Sequence, residues 1–428
     1  MVYHSFDRQI LVATESTEGT AASLSASNYV DCLTDVDVDF TVIKHDRDLV
    51  RSGWTEVPDF FASSGVTSGS MVATATINFT VELSLKTGAT PVSTAPGWAP
   101  LFKACGMEQI DSIVRIGTGA ISSGPILHRE GLEVTSVQEG RALGTHFDGD
   151  SFVYYNVTGT SITAADSVAG QVSGAGFTAS GTETDVGIAF VPNSTKGSGN
   201  SSSCTIQLYW AGRLYKFVGC RGSVSMTFAS TNRVLMAFTM QGIMDSVTNG
   251  SRQGSITYGH ALPSVFTAAS LKLNEHASST AFTGALFSQL AWDLGNEVVF
   301  REDANSASGF KAAQIVGRAG QVTLDPDAVL GGATAASKLD FFSLLAQGTV
   351  CRAEWTVGSG MDAASALFRM PALQFDDIGM TDREKIEVFD LTAMVTGGLY
   401  GDSVESADGT ARDYADRGRD NEFSIVLY

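Results

Sequence analysis

The sequence predicts a mainly β protein of two tandem domains, each with one short α-helix, and a β-rich insertion in the first. Three observations lead there. Residues 204–243 read as extended segments joined by short turns. Gly, Ser, Thr and Ala are abundant while Pro is scarce, with 45 Gly against 9 Pro, a mixture suited to short strands and small-residue turns rather than long helices. The order strand, loop, strand, helix, strands then occurs twice along the chain. At 428 residues and 43% hydrophobic content, the chain is long enough for two or three domains with most of their apolar surface buried.

Residues 1–30 are small and polar apart from an apolar patch at 10–13, and are expected to form an arm packed on the body or on a neighbour. Residues 35–43, DVDVDFTVI, are a strong strand. Its side chains alternate, so Val36, Val38 and Phe40 share one face and Asp35, Asp37 and Asp39 the other. Three carboxylates on one face must be wet, metal-bound or opposed by cations. A calcium loop draws its oxygens together around a central Gly and a closing Glu. A strand fans them apart, so a metal site is set aside and a solvated acidic face remains. Residues 44–70 make a long connection that mixes charges with Trp54, Phe60 and Phe61, and such a loop is expected to be a docking surface. Residues 71–85 return as an alternating strand, and a Gly/Pro-rich link over 87–97 leads to a short helix at 98–105.

Residues 110–185 are rich in Gly, Ser and Thr, with strands expected only at 112–116 and 151–157, and read as an insertion in the first domain. Further on, strand 205–210 turns at Ala211-Gly212 into 213–219, and 223–228 pairs with 234–240 across the polar turn 229–233. Val224, Met226 and Phe228 repeat at every second position, the period of a half-buried strand. The polar stretch 246–259 is the expected boundary, dividing the chain into domains 1–250 and 260–428. The second half offers strands at 269–274, 290–302, 312–324, 350–357, 368–375, 385–395 and 422–428, a loop at 303–310, and an amphipathic helix at 339–347 in the place of 98–105.

Net charge is −19, from 27 basic and 46 acidic residues, and no useful cluster of Lys or Arg occurs. Nucleic-acid binders need a basic footprint to neutralise phosphates, so this chain should repel DNA rather than hold it. Five cysteines (Cys32, Cys105, Cys204, Cys220 and Cys351) are widely spaced without any CxxC, and are expected to be reduced, mostly buried thiols. No leader-like apolar segment or 18-residue apolar run is present, so neither secretion nor membrane spanning is expected. GxSxG, P-loop, GxGxxG, HExxH and paired Cys/His spacings are all missing, and the six histidines are isolated from one another. Asp293 with Asn296, or Asp376 with Asp377, could supply an acid/base pair, but carboxylates in turns and strand ends are far commoner than catalytic ones. No enzyme activity, catalytic residue, cofactor or metal is expected.

The stretch 204–243 also resembles a known family. An aromatic-Gly hairpin, a basic-aromatic strand, GCRGSV and then FTMQG are similar to the C-terminal half of the tail tube proteins of long-tailed, siphophage-like bacteriophages. Tyr209, Gly212, Gly219, Arg221, Gly222, Phe238 and Gly242 carry that pattern. Residues 96–107, PGWAPLFKACGM, resemble the helix that these proteins place between their two sheets. The two motifs span about an eighth of the 428 residues.

The resemblance implies tandem β-sandwich or barrel tube-type domains, each with a short flanking α-helix, in a structural virion protein whose copies form stacked rings, with neighbouring sheets joined into an inner barrel and a smooth acidic lumen. Its partners would be further copies of itself, with the tape measure protein and phage DNA in the lumen without specific binding, and no membrane. The location would be the virion tail, after synthesis in the cytoplasm of the host bacterium. Asp35, Asp37 and Asp39 would face the lumen, and Trp54, Phe60 and Phe61 would contact the next ring. Such tubes are usually built from about six tube domains per ring, so a duplicated chain would form a trimeric, pseudo-hexameric ring and a single-domain chain a hexamer. Two other readings stay open: another β-sandwich virion component, such as a distal tail, baseplate or decoration protein, and a carbohydrate-binding or carbohydrate-cleaving β protein, which would need only two carboxylates placed in space.

Overall fold

The computed structural model describes residues 8–428 except 34, 43–71, 85–94, 119–120, 123–125, 136, 144–151, 157–161, 172, 195–201, 257–264, 268, 277, 279–280, 284, 307, 328–338, 359–364 and 398–421. Strand takes 62% and helix 6% of the described residues, so the mainly β class holds. The first half contains β1 (Arg8–Thr14), β2 (Tyr29–Val30), β3 (Asp37–Val42), β4 (Val72–Glu82), α1 (Ala99–Ala104), β5 (Met107–Thr118), β6 (Gly131–Val134), β7 (Val137–Ala142), β8 (Phe152–Asn156), β9 (Ser167–Gly170), β10 (Gly176–Pro192), β11 (Cys204–Trp210), β12 (Arg213–Ala229) and β13 (Leu235–Asn249). The second contains β14 (Lys272–Glu275), β15 (Phe287–Asp293), β16 (Asn296–Glu302), β17 (Phe310–Arg318), β18 (Gln321–Pro326), α2 (Phe341–Gln347), β19 (Val350–Val357), β20 (Ala366–Arg383), β21 (Ile386–Val395) and β22 (Ser424–Leu427).

One antiparallel sheet runs through both halves in the order β3-β4-β13-β12-β15-β18-β21-β20. Its first four strands and its last four repeat one arrangement. In each set the first two strands in sequence are neighbours, a helix follows the second, and a later hairpin completes the set in reversed order. The join between sets is β12 against β15, from Ser225 opposite Asp293 to Ala229 opposite Gln289.

Two long strands, β12 and β20, each serve two layers. A register shift lies between Val218 and Arg221 in β12 and between Phe375 and Asp377 in β20, and bulges of this kind bend a strand. Before the bend, β12 pairs with β11, which pairs with β1, and β20 pairs with β19 and β22. Gly219 sits at the first bend with φ +61, and a Cβ there would lie 2.9 Å from that of Ala312, so the motif needs glycine. One hydrophobic core fills the space between layers and draws on both halves. Phe228 of β12 meets the rings of Trp355 and Phe368 at 5.6 and 5.0 Å.

Local chemistry explains the helices. Trp98, immediately before α1, donates from its indole to Ser84 O at 3.0 Å, while Phe102 packs between Trp98, Phe190 and Phe238. Asp340 caps α2 by accepting from the Ser343 amide at 3.1 Å, and Gly348 ends it with φ 60.

The 110–185 region closes on itself. β5 pairs with β8, β8 with β7, β7 with β6, β6 with β9, β9 with β10 and β10 again with β5, giving a six-stranded antiparallel barrel. It has its own core, including Ile116, Leu132, Phe152, Tyr154, Val168 and Phe177. The C-terminal strand β22 lies between β10 and β20 and so ties the first half to the second.

Several expectations need correction. The N-terminal arm is in part a core strand: β1 buries Ile10 and Val12 because it pairs with β11 over its full length. Glu15 anchors the chain after it, accepting from the amides of Gly19 and Gly219 at 2.8 Å and from Thr205 Oγ1 at 2.9 Å. Segments 213–219 and 223–228 are one strand, and β13 runs on to Asn249, into the stretch expected to be a linker. The single strands expected at 290–302 and 312–324 are each two. The chain breaks at Gly295, with φ +63 and only 2.1 Å for a Cβ before Ala319 O, and β16 and β17 leave the main sheet as a separate hairpin.

Two histidines, His128 fully buried and His276 half-buried, make acid stability testable. Burial first, then the charges of Arg129 and Arg369, holds His128 well below the ordinary histidine range, and burial with Arg352 lowers His276 to about 4. Below pH ~6.5 the unfolded chain binds protons that the folded chain refuses, so stability is full above that pH and falls as pH drops towards about 4. Each site contributes at most about 1.4 kcal/mol per pH unit in that window. Urea midpoints at pH 7, 6 and 5 should therefore fall for the parent and fall less for a His128→Gln/His276→Gln variant; parallel declines would refute the assignment.

Candidate functional site

Among the described residues the candidate site is the polar face of the eight-stranded sheet, together with its two outer edges. Residues directly opposite in a ladder share a face, so the registers define that face without ambiguity. One row runs Asp37, Asn78, Thr239, Ser223. A second runs Thr80, Ala237, Ser225, Asp293, Gln321, Met394, and a third runs Glu82, Leu235, Thr227, Ala291, Thr323, Thr392, Asp377. Small polar side chains dominate from one edge to the other. The opposite face is apolar: Val81, Met236, Met226, Trp292, Val322, Ala393 and Phe375 form one row of it.

Asp35, Asp37 and Asp39 lie on the polar face and are exposed, as the alternation predicts, with Val36 buried behind them. Asp35 accepts a hydrogen bond from Thr80 Oγ1 at 2.6 Å. Phe40 departs from the expected pattern. It lies on the apolar side, 6.0 Å from Tyr215 and 6.4 Å from Phe217, yet is 41% exposed because β3 is an outer strand. Trp54, Phe60 and Phe61 lie outside the described residues.

The polar face carries a surplus of carboxylates. Beside Asp35, Asp37 and Asp39 stand Glu82, Asp293, Asp325, Asp377 and Asp390. Glu82 pairs with Arg233, and Asp325 with Arg383 at 3.0 Å. Among the described residues no cation pairs with Asp37, Asp39, Asp293, Asp377 or Asp390.

Both edges of the sheet are open among the described residues. β3 pairs with β4 alone, and β20 beyond the bend pairs with β21 alone. Open edges present unpaired backbone donors and acceptors, and proteins rarely leave a long one unmanaged. The β20 edge also exposes Met380 at 52%.

The candidate acid/base residues sit at a strand break and at a bend. Asn296 spends its side-chain amide on Cys105 O at 2.7 Å and Gly222 O at 2.9 Å, and Asp293 accepts from the Gly295 amide at 3.0 Å, a turn contact. Asp376 and Asp377 are exposed at the β20 bend. Among the described residues no three His, Cys, Asp or Glu side chains converge as metal ligands, and no helix is long and apolar enough to cross a membrane. All five cysteines are free thiols, four of them buried. Burial pushes Cys32 up to about 11 and Cys351 up to about 12, and Cys105 and Cys220 well above the thiol range, which leaves poor nucleophiles.

The Ser and Thr rows were missed by sequence reasoning that attended to charge and aromatics. The signal was present in SVSMTF and QVTLDP, where polar and apolar residues alternate. No family model matches the chain, and no curated protein matches it.

The two faces make opposite predictions for neighbouring strands. Trp292→Ala removes a fully buried ring from the apolar face and should cost about 3–5 kcal/mol. Thr323→Ala, on the polar face opposite Ala291, should change stability by no more than about 0.5 kcal/mol. Denaturant titration of both variants checks this, and comparable losses would contradict the two-faced sheet.

Proposed function

We propose that the chain is a tail tube protein, a structural virion component whose copies close into rings that stack as a conduit for phage DNA. One observation carries the reading: two matching four-stranded sets lie side by side in one sheet, with a continuous small-polar, acidic face and an open strand at each end. β12 of the first set meets β15 of the second. The strand that corresponds to β12 in the second set is β20, and the strand that corresponds to β15 in the first is β3. Repeating the internal join between copies therefore pairs β20 of one with β3 of the next. This removes both open edges, as closure of a barrel does.

About three copies of eight strands make a barrel of roughly 24 strands; at ~4.8 Å spacing and ~40° tilt its backbone cylinder is roughly 45–50 Å across. The apolar faces point outward under the second layer, and the polar faces line the bore. A bore of hydroxyls, amides and carboxylates offers DNA no cations with which to displace its counterions, so a duplex stays hydrated and mobile. The net charge of −19 suits that role. Asp35, Asp37 and Asp39 then face the lumen, where tape measure protein and DNA pass without specific binding.

Electron microscopy and mass measurement of the purified protein test the ring. The expected particle holds three chains and shows a near-sixfold outline. Protein that stays monomeric at high concentration, or a six-chain ring with 260–428 on its periphery, would overturn the proposal. Charge reversal tests the bore: rings carrying Asp37→Lys and Asp39→Lys should retain duplex DNA at low salt and release it at high salt, whereas parent rings should not retain it.

A further inference from the structure

Among the described residues the internal repeat leaves one surface covered in the first half and exposed in the second. In the first half, the C-terminal end of α1 and the bend of β12 lie under the β16–β17 hairpin. Asn296, at the start of β16, donates to Cys105 O at 2.7 Å and Gly222 O at 2.9 Å, and Arg318, at the end of β17, donates to Gly106 O at 3.3 Å. Arg221 of β12 donates to Ala313 O, and Ala312 and Ala313 are fully buried against the bend. As a result Ala104, Cys105 and Gly106 are all buried.

The matching surface of the second half is the C-terminal end of α2 and the bend of β20, which touch where Gln374 donates to Gly348 O at 3.0 Å. Here Ala346, Gln347 and Gly348 are exposed, as are Asp376 and Asp377 at the bend. Phe342 on α2 is 47% exposed with its ring edge-on to Phe389, and Met380 opposite Phe389 in the ladder is exposed too. An apolar patch of this kind beside an open strand edge marks a contact surface.

The covered half tells what covers it. The hairpin that seals the first half belongs to the set whose first strand, β15, pairs with β12, and it connects that strand to β18. Resting on the ring reading above, we propose that the α2–β20 surface is the docking site for a second copy of this chain, through the segment over 43–71 that connects its β3 to its β4. That segment occupies the sequence place of the hairpin and supplies Trp54, Phe60 and Phe61, aromatics suited to anchoring an interface. The contact then lies between neighbours within one ring, whereas the sequence alone directed these aromatics to the next ring.

A photo-cross-linker at Gln347 in the full chain tests this, with light- and heavy-isotope copies mixed before assembly. The expected product joins Gln347 of one copy to a peptide from 43–71 of another. Rings that form while Gln347 links only within its own chain or to other peptides would overturn the docking and leave the ring reading intact. Absence of rings and of intermolecular links would overturn both. A deletion of 52–64 gives a second readout. If its melting temperature and circular dichroism match the parent, the variant should lose rings altogether, with at least a tenfold rise in the concentration needed to assemble. Intact single rings that merely fail to stack would refute a contact within the ring.

Discussion

Five residue pairs join β12 to β15, and the rest of the architecture depends on them. Their backbone bonds fix a register, and because side chains alternate with period two, a slip of one residue would turn every side chain to the other face. Trp292 would leave the core and Asp293 would enter it. Burying an unpaired carboxylate and exposing an indole are both costly, so the join has a single low-energy setting. That setting aligns the Ser and Thr rows of the first set with the Gln and Thr rows of the second. The apolar rows behind are brought into line by the same step, which is why one core can draw on both halves.

Much of this was legible in the sequence where a strand has one wet face. Residues 35–43, 71–85, 223–228 and 234–240 alternate cleanly, and the structure places strands at all four. The helices expected at 98–105 and 339–347 are both present, as α1 and α2. What stayed hidden was either two-sided or remote. β1 buries successive residues, so its apolar patch carries no period. Barrel strands β6, β7, β8 and β9 are only 4 to 6 residues long, and the β10–β5 ladder is broken by register shifts, so no sustained period of two shows there. The breaks at Gly295 and at Ala319-Gly320 looked like ordinary strand glycines until their close approach was visible. Pairing of β12 with β15, or of β22 with both β10 and β20, joins residues far apart in sequence, and no local pattern encodes it. Of the candidate site, the acidic row on β3 was readable and its continuation across seven further strands was not.

The polar face is built mainly from short side chains, and this suits its position. Thr is at home on a pleated sheet because its branched Cβ packs against cross-strand neighbours, while its hydroxyl keeps the surface wet. Longer charged residues gather at the tips, where Arg233 meets Glu82 and Arg383 meets Asp325 and Asp327. The buried pair Glu354 and Arg369, 2.6 Å apart, sits behind the sheet instead, where Arg369 also donates to Leu143 O at 2.9 Å. Charge is thus either paired off or spread thinly on this surface.

The six-stranded barrel has a consequence of a different kind. Its first and last strands, β5 and β10, pair with each other beyond the barrel as well as within it, with Met107 opposite Pro192 and Glu108 opposite Val191. Chain therefore enters and leaves the module at adjacent points, through a doorway that exists whether or not a module hangs from it. Together with its private core, this makes the barrel a cassette. Genetic exchange could trim it to a hairpin, enlarge it or replace it with an unrelated sequence, while the sheet beneath kept its registers.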